Sequence, residues 1–299
     1  MVFSKSVGSV VRQRNLSTYL TFLKIEHTLF ALPFAYGGML LAASGWPGFH
    51  KFFWISLAML GARTASMALN RVLDADIDGK NPRTAARAIP AGGLTKADGI
   101  IVTVVGFSIL VVSAWSLNKL TLTLLPVAVF FLALYPLTKR WTWLCHLWLG
   151  LTIGSAAPAG WIAVTGSFSG TAIVLWIGVG LWVTGFDIIY SLLDKEFDIL
   201  EGIQSIPARF GTKRALIIAA MTHGCALGSL CLAIPIYGFG VPYTLSLIAI
   251  AFVLIYSHIV VRGGSAKAVA LSFGMNLAIG VIVLVGILIE LVVSGLSAP

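Results

Sequence analysis

Of the eleven acidic residues in this 299-residue chain, eight fall in two clusters. The first holds Asp74, Asp76 and Asp78, and the second holds Asp187, Asp194, Glu196, Asp198 and Glu201. Asn70, Asp74 and Asp78 form an NxxxDxxxD pattern, and Asp194 and Asp198 repeat the DxxxD spacing about 120 residues later. Residues four apart lie on one helix face, one turn above the other, so each motif predicts a stripe of hard oxygen donors. Such donors suit Mg²⁺, which takes one or two carboxylates and fills its shell with water and phosphate oxygens. Two facing stripes would clamp a diphosphate through bridging magnesium. The plainer alternative is a pair of solvated helix ends paired with positive loops. Two motifs, equivalently placed in clusters that hold most of the acid, argue for the metal reading.

Cations flank both clusters. Arg83 and Arg87 lie in the segment Asn81–Gly92, whose Pro and Gly residues set turns, and guanidinium groups grip phosphate oxygens in bidentate fashion. Lys139 and Arg140 follow Tyr135 and Pro136 at the end of an apolar run. Arg63 precedes Asn70 by two helical turns and points toward the same cavity, as membrane arginines face a polar interior rather than lipid. Lys24 and Glu26 sit in the first apolar run, where they pair poorly at i, i+2. The five histidines are scattered with no metal-ligand spacing. Cys145, Cys225 and Cys231 lie inside apolar runs and read as small buried hydrophobes.

What must position these groups is a membrane bundle. Hydrophobic residues make up 58% of the chain and charged residues 10%, against roughly 25% charged in soluble domains, and the mean hydropathy is +0.96. Nine apolar segments are expected, at about 19–43, 52–77, 98–117, 120–138, 143–165, 171–193, 214–235, 240–261 and 268–294. Only helices satisfy their own backbone in lipid, so the fold class is all-α: one polytopic domain over residues 1–299, in two motif-bearing halves at about 17–138 and 143–294. With the N-terminus inside, fifteen Lys and Arg residues fall in inner segments and only Lys51 and Lys119 in outer loops. That bias sets the N-terminus and both motifs on the cytoplasmic side of the cell membrane. It also accounts for the net charge of +9 without nucleic acid. No cleavable signal peptide is expected, since the first apolar run is too long for one.

Over residues 24–213 these motifs resemble the UbiA family of membrane prenyltransferases. Asn70/Asp74/Asp78 and Asp194/Asp198 match the family's two aspartate-rich motifs, and Arg83-Thr84 through Arg87-Ala-Ile-Pro90-Ala-Gly92 is similar to its arginine-rich loop. Tyr135-Pro136 with Lys139-Arg140, Asp187-Ile-Ile-Tyr190, and Gly202-Ile-Gln-Ser205 running into Arg209-Phe-Gly211 resemble further motifs of the 4-hydroxybenzoate polyprenyltransferase branch. The chain departs from the pattern at Ala88, where proline is common, and at Arg71, where many members carry Asp. The Lys24–Pro33 segment resembles a subgroup of menaquinone-type pathways, which leaves the aromatic acceptor open. Haem-farnesylating relatives share Asp-Ala-Asp-Ile-Asp but not the second motif.

The resemblance implies Mg²⁺-dependent transfer of a polyprenyl group from its diphosphate to an aromatic acid such as 4-hydroxybenzoate, in quinone biosynthesis. It implies metal ligation by Asn70, Asp74, Asp78, Asp194 and Asp198. Substrate binding falls to Lys24, Arg83, Arg87, Tyr135, Lys139 and Tyr190, and catalysis to Asp187 and Arg63. Asp187 is expected to position the acceptor hydroxyl or take a proton; Arg63 is expected to hold the acceptor carboxylate or a phosphate oxygen. The implied partners are the two substrates and the bilayer, with no obligate protein partner. A cation-coupled transporter fits less well, because the carboxylates gather at one membrane edge. A phosphotransferase would need a D-G-x-x-A-R arrangement, which the chain lacks, and a scaffold leaves the paired aspartates unexplained.

Overall fold

The computed structural model describes residues 15–24 and 30–294, and every regular element in them is helical. The first half contains α1 (Leu16–Leu23), α2 (Leu32–Ala43), α3 (Phe49–Leu73), α4 (Ala75–Lys80), α5 (Lys96–Leu117) and α6 (Lys119–Thr138). The second contains α7 (Cys145–Gly154), α8 (Ala156–Thr165), α9 (Gly170–Tyr190), a 3₁₀ turn (Ser191–Asp194) and α10 (Lys195–Glu201). It closes with α11 (Ile206–Tyr237), α12 (Val241–Val261) and α13 (Ala266–Ser294).

Among the described residues, eight helices are long and apolar enough to cross a membrane, with α7 and α8 counted as one span. They carry large exposed apolar side chains, such as Trp115 at 76%, Phe252 at 69% and Val292 at 83%. Water does not tolerate such a surface, and lipid does. The segment expected at 19–43 differs. It divides into α1, which ends with Lys24 in the left-handed region (φ 47°), and the 12-residue α2, which has proline in its first turn. At about 1.5 Å per residue, α2 is too short to span. It is instead packed inside the protein, where Pro33, Phe34, Ala35 and Met39 are buried.

Small residues bring the helices together, as expected where lipid removes the hydrophobic drive between them. At Gly61 and Gly106 an added Cβ would fall 2.8 Å from Gly106 O and 2.5 Å from Ala65 N, so α3 and α5 touch backbone to backbone. The helix that leads into the second motif, α9, packs along α11, as α3 packs along α5. Phe34, Trp182, Phe186, Leu230 and Tyr243 form the largest apolar core, shared by α2, α9, α11 and α12.

At the end of the bundle away from the aspartate motifs, polar groups satisfy exposed helix termini. Lys51 Nζ donates to the carbonyls of Leu117 (3.1 Å) and Ala163 (2.8 Å), closing α5 and α8. The buried Glu290 accepts from the backbone N–H of Gly240 (2.8 Å) and Tyr243 (3.1 Å) at the start of α12. At the opposite, motif-bearing end, Asp98 forms a capping box with Thr95 that starts α5. The expected pairing of Lys24 with Glu26 lies outside the described residues.

Candidate active site

Both aspartate motifs stand where a long helix breaks. Asp74 has φ −94°, ψ 1° between α3 and α4, and Asp194 has φ −107°, ψ 0° between the 3₁₀ turn and α10. The continuous stripe expected from the spacing is therefore bent at its first aspartate. The four-residue phasing survives the bend, because Asp74 N still bonds Asn70 O (2.9 Å) and Asp78 N bonds Asp74 O (2.7 Å). Asn70 Nδ2 also donates to Asp74 Oδ2 (3.3 Å).

The loop between α4 and α5 joins the two motifs. Arg87 Nη1 meets both oxygens of Asp78, at 2.6 and 2.7 Å. Arg83 reaches across to Asp194: its Nε donates to Oδ1 at 2.8 Å and its Nη2 to Oδ2, a bidentate fork. Its Nη1 donates to the hydroxyl of Tyr190 (3.2 Å). Burial draws the Arg83 guanidinium down, but the hydrogen bond and charge of Asp194 outweigh it, and the group is held above the ordinary arginine range. Asn81 adds a bond to Asp194 Oδ1 (2.8 Å). Lys139, at the end of α6, donates to Asp74 Oδ2 (2.5 Å). Asp198 takes a neutral partner, the hydroxyl of Ser205 (2.7 Å), which also starts α11 as its N-cap.

Among the described residues, no three His, Cys, Asp or Glu side chains converge on one point as a ready metal cage. The donor set nevertheless suits a hard divalent cation. Asp74 is 1% exposed and its Oδ1 accepts no hydrogen bond, with the Arg140 guanidinium 3.6 Å away. A buried carboxylate oxygen with no hydrogen-bond donor is a site for a cation. Asp78 and Asp198 are nearly as buried, at 5% and 7% exposed. Arg83, Arg87, Lys139 and Arg140 surround these acids, a balance of charge that suits a polyanion held together with a metal.

Beside this layer lies a cavity of about 720 Å³. Lys24, Arg63, Asn70, Tyr135, Asp187 and Tyr190 line its polar part, and apolar side chains such as Met59, Leu110, Phe131, Ile153 and Trp176 line the rest. Val127 and Phe168 line it too and are 54% and 63% exposed, so the cavity reaches the outer, lipid-facing surface of the bundle. The residues expected at the site thus divide in two. The metal and diphosphate candidates form the ion-pair layer; Lys24, Arg63, Tyr135, Asp187 and Tyr190 face the cavity.

Two further side chains belong here that sequence reasoning passed over. Arg71, noted only as a departure, lines the cavity at 6% exposed. His146 on α7 pairs with Asp187, Nδ1 to Oδ2 at 2.7 Å. Its sequence neighbourhood carries no motif, but a carboxylate inside a spanning helix demands a partner, and that demand was the available signal.

The model of the UbiA prenyltransferase family matches residues 31–280. The 4-hydroxybenzoate octaprenyltransferase of Tolumonas auensis is 30% identical over 253 residues, covering 83% of this chain and 87% of its own. The apo structure of a UbiA homologue from Aeropyrum pernix K1 superposes with a TM-score of 0.82 at 36% identity, covering 89% of this chain and 98% of that one. A UbiA homologue from Archaeoglobus fulgidus bound to GPP and Mg²⁺ shares the fold at a TM-score of 0.71 and 18% identity, covering 91% and 99%. With two facing aspartate motifs, the arginine loop between them and a family match over most of its length, the chain belongs to the UbiA prenyltransferase family.

Proposed function

We propose that the protein transfers a polyprenyl group from its diphosphate to an aromatic acceptor, 4-hydroxybenzoate first among the candidates, as a step of quinone biosynthesis. The observation that carries this reading is the junction of two environments. A layer of buried carboxylates and guanidinium groups opens directly onto an apolar cavity of about 720 Å³, within the usual size of small-molecule sites. A diphosphate with an isoprenoid tail has the same two-part character. The family match, the 4-hydroxybenzoate octaprenyltransferase relatives and the GPP- and Mg²⁺-bound archaeal homologue support it.

Asp74, Asp78, Asp194 and Asp198, with the amide oxygen of Asn70, are the residues that would hold Mg²⁺. When bound, the metal supplies positive charge against the diphosphate. Arg83, Arg87 and Lys139, now paired with these carboxylates, are then free to bind phosphate oxygens. They stabilise the negative charge that grows as the carbon–oxygen bond of the donor breaks. Tyr135 and Tyr190 border the space where the allylic carbon would lie, and Lys24 adds a cation at its edge. Arg63 holds the anionic group of the acceptor or a phosphate oxygen, and Asp187 positions the acceptor hydroxyl or takes the proton that the ring loses. The tail follows the apolar wall past Val127 toward lipid. We further propose a single polytopic domain in the cell membrane, its two halves each bearing a motif and its active site facing the cytoplasm, on the strength of the Lys and Arg bias.

The test is product formation by purified protein in detergent, with geranyl or farnesyl diphosphate and a panel of aromatic acids, with Mg²⁺ supplied or chelated. Magnesium-dependent prenylation of 4-hydroxybenzoate is the expected result. Transfer only to another acceptor would keep the chemistry and change the pathway. No diphosphate release with any acceptor would refute the reading.

A further inference from the structure

The His146–Asp187 pair has a definite direction. His146 is 4% exposed and both its ring nitrogens are engaged. The backbone N–H of Ile206 donates to Nε2 at 3.2 Å, so Nε2 is the acceptor nitrogen. The neutral imidazole then carries its proton on Nδ1 and donates it to Asp187 Oδ2 at 2.7 Å. The only other oxygen of Asp187 belongs to a side chain that lines the substrate cavity.

The ring itself is held from two sides. Next to it in the chain, Cys145 Sγ donates to Gln204 O (3.2 Å), while Gln204 N donates to Lys139 O (2.7 Å). Ile206, the donor to His146, follows Ser205, whose hydroxyl bonds Asp198. The histidine is thus fastened to the turn that follows the second aspartate motif, and from there it fixes the carboxylate on the neighbouring helix.

We propose that His146 is the positioning residue of the reaction: it locks the Asp187 carboxylate with Oδ1 turned into the cavity, toward the acceptor ring. This rests on the prenyl-transfer reading. In that reaction, the donor's allylic carbon bonds a ring carbon, and its bond to the diphosphate oxygen breaks with the electron pair leaving on diphosphate. The ring carbon then loses its proton, which Asp187 Oδ1 accepts and later passes to water. The Nδ1 proton of His146 stays in place throughout and keeps the carboxylate from swinging toward the cationic layer, where Arg83 and Lys139 would compete for it.

The experiment compares His146→Ala, His146→Asn and His146→Gln with the unaltered protein in detergent, measuring kcat and the KM of each substrate, with thermal unfolding as a check on fold. The amide N–H of asparagine lies as far from the backbone as Nδ1; that of glutamine lies one bond further out. His146→Ala is expected to lower kcat by about 10- to 100-fold, the usual cost of losing an orienting partner, with donor KM within about twofold. His146→Asn is expected to recover most of that loss, and His146→Gln little of it. A His146→Ala protein with unaltered kcat, or Asn and Gln variants equally impaired, would overturn the proposal while leaving the enzyme reading intact. Should the alanine variant fail to fold, the asparagine and glutamine pair decides. Failure of all three to fold would reduce His146 to a structural role, and an unaltered protein inactive with every acceptor would remove the proposal together with the reading beneath it.

Discussion

The first aspartate of each motif occupies the same kind of backbone break, yet the two carboxylate pairs live in different surroundings. Asp74 and Asp78 are held by full cations, Lys139 and Arg87, and are almost sealed from solvent at 1% and 5% exposed. In the second motif Asp194 keeps 18% of its side chain exposed and takes its cation from the first half of the chain, through Arg83. Asp198 takes, among the described residues, the neutral hydroxyl of Ser205 as its hydrogen-bond donor. The first motif therefore carries structural as well as chemical weight, because a buried charge stripped of its partner costs several kcal/mol. The second is assembled from groups 111 positions apart in the chain and is the more readily rearranged of the two.

Substitutions at Asp74 should show the largest effect. Asp74→Ala strips Lys139 of its carboxylate and removes a metal ligand candidate, so turnover should fall by about 10³-fold or more and the unfolding temperature in detergent should drop as well. Equal thermal stability of Asp74→Ala and Asp194→Ala would break the contrast. Arg83→Gln should come next. Losing the fork that bridges the halves is expected to raise the KM of the diphosphate donor by about 10- to 100-fold, and Arg83→Lys should recover little, since an ammonium cannot reproduce the bidentate grip.

Ser205→Ala should cost less. It removes the Ser205 hydrogen bond to the Asp198 side chain and the N-cap of α11, for about 1 kcal/mol of stability and a loss of turnover of about tenfold or less. The rim pair Lys80–Glu201 (2.6 Å), with Lys80 61% exposed, is the expected minimum. Lys80→Ala should change stability by under about 1 kcal/mol and leave turnover within about twofold. A larger loss there would mean that the halves are held together at their rim rather than through Arg83.

Much of this arrangement is legible in the sequence, and the illegible parts have physical causes. Spacing identifies Asp74, Asp78, Asp194 and Asp198 because helical phasing survives the bends, and for the same reason spacing cannot reveal that the helices break there. The unbroken apolar run over 19–43 hides the division into α1 and α2, since composition reports hydropathy and not length of helix. Pro33, in the first turn of α2, was the available boundary signal. Arg83 and Arg87 read as neighbours of the first motif, yet only the fold sends Arg83 to Asp194, 111 positions away. His146 escapes any local reading because its partner lies 41 positions along the chain on another helix. Long-range pairing of this kind is set by helix packing, such as the seating of Gly150 against Gly180 and Thr184 that brings α7 onto α9.

The most direct test of the account is a magnesium titration of diphosphate release from geranyl diphosphate in the presence of 4-hydroxybenzoate, comparing the unaltered protein with Asp194→Asn. The account predicts Mg²⁺-dependent release in the first and, in the second, a rate lower by about 10²- to 10³-fold with a higher magnesium requirement. Unchanged turnover and unchanged magnesium dependence in Asp194→Asn would contradict the joint action of the two motifs on one diphosphate.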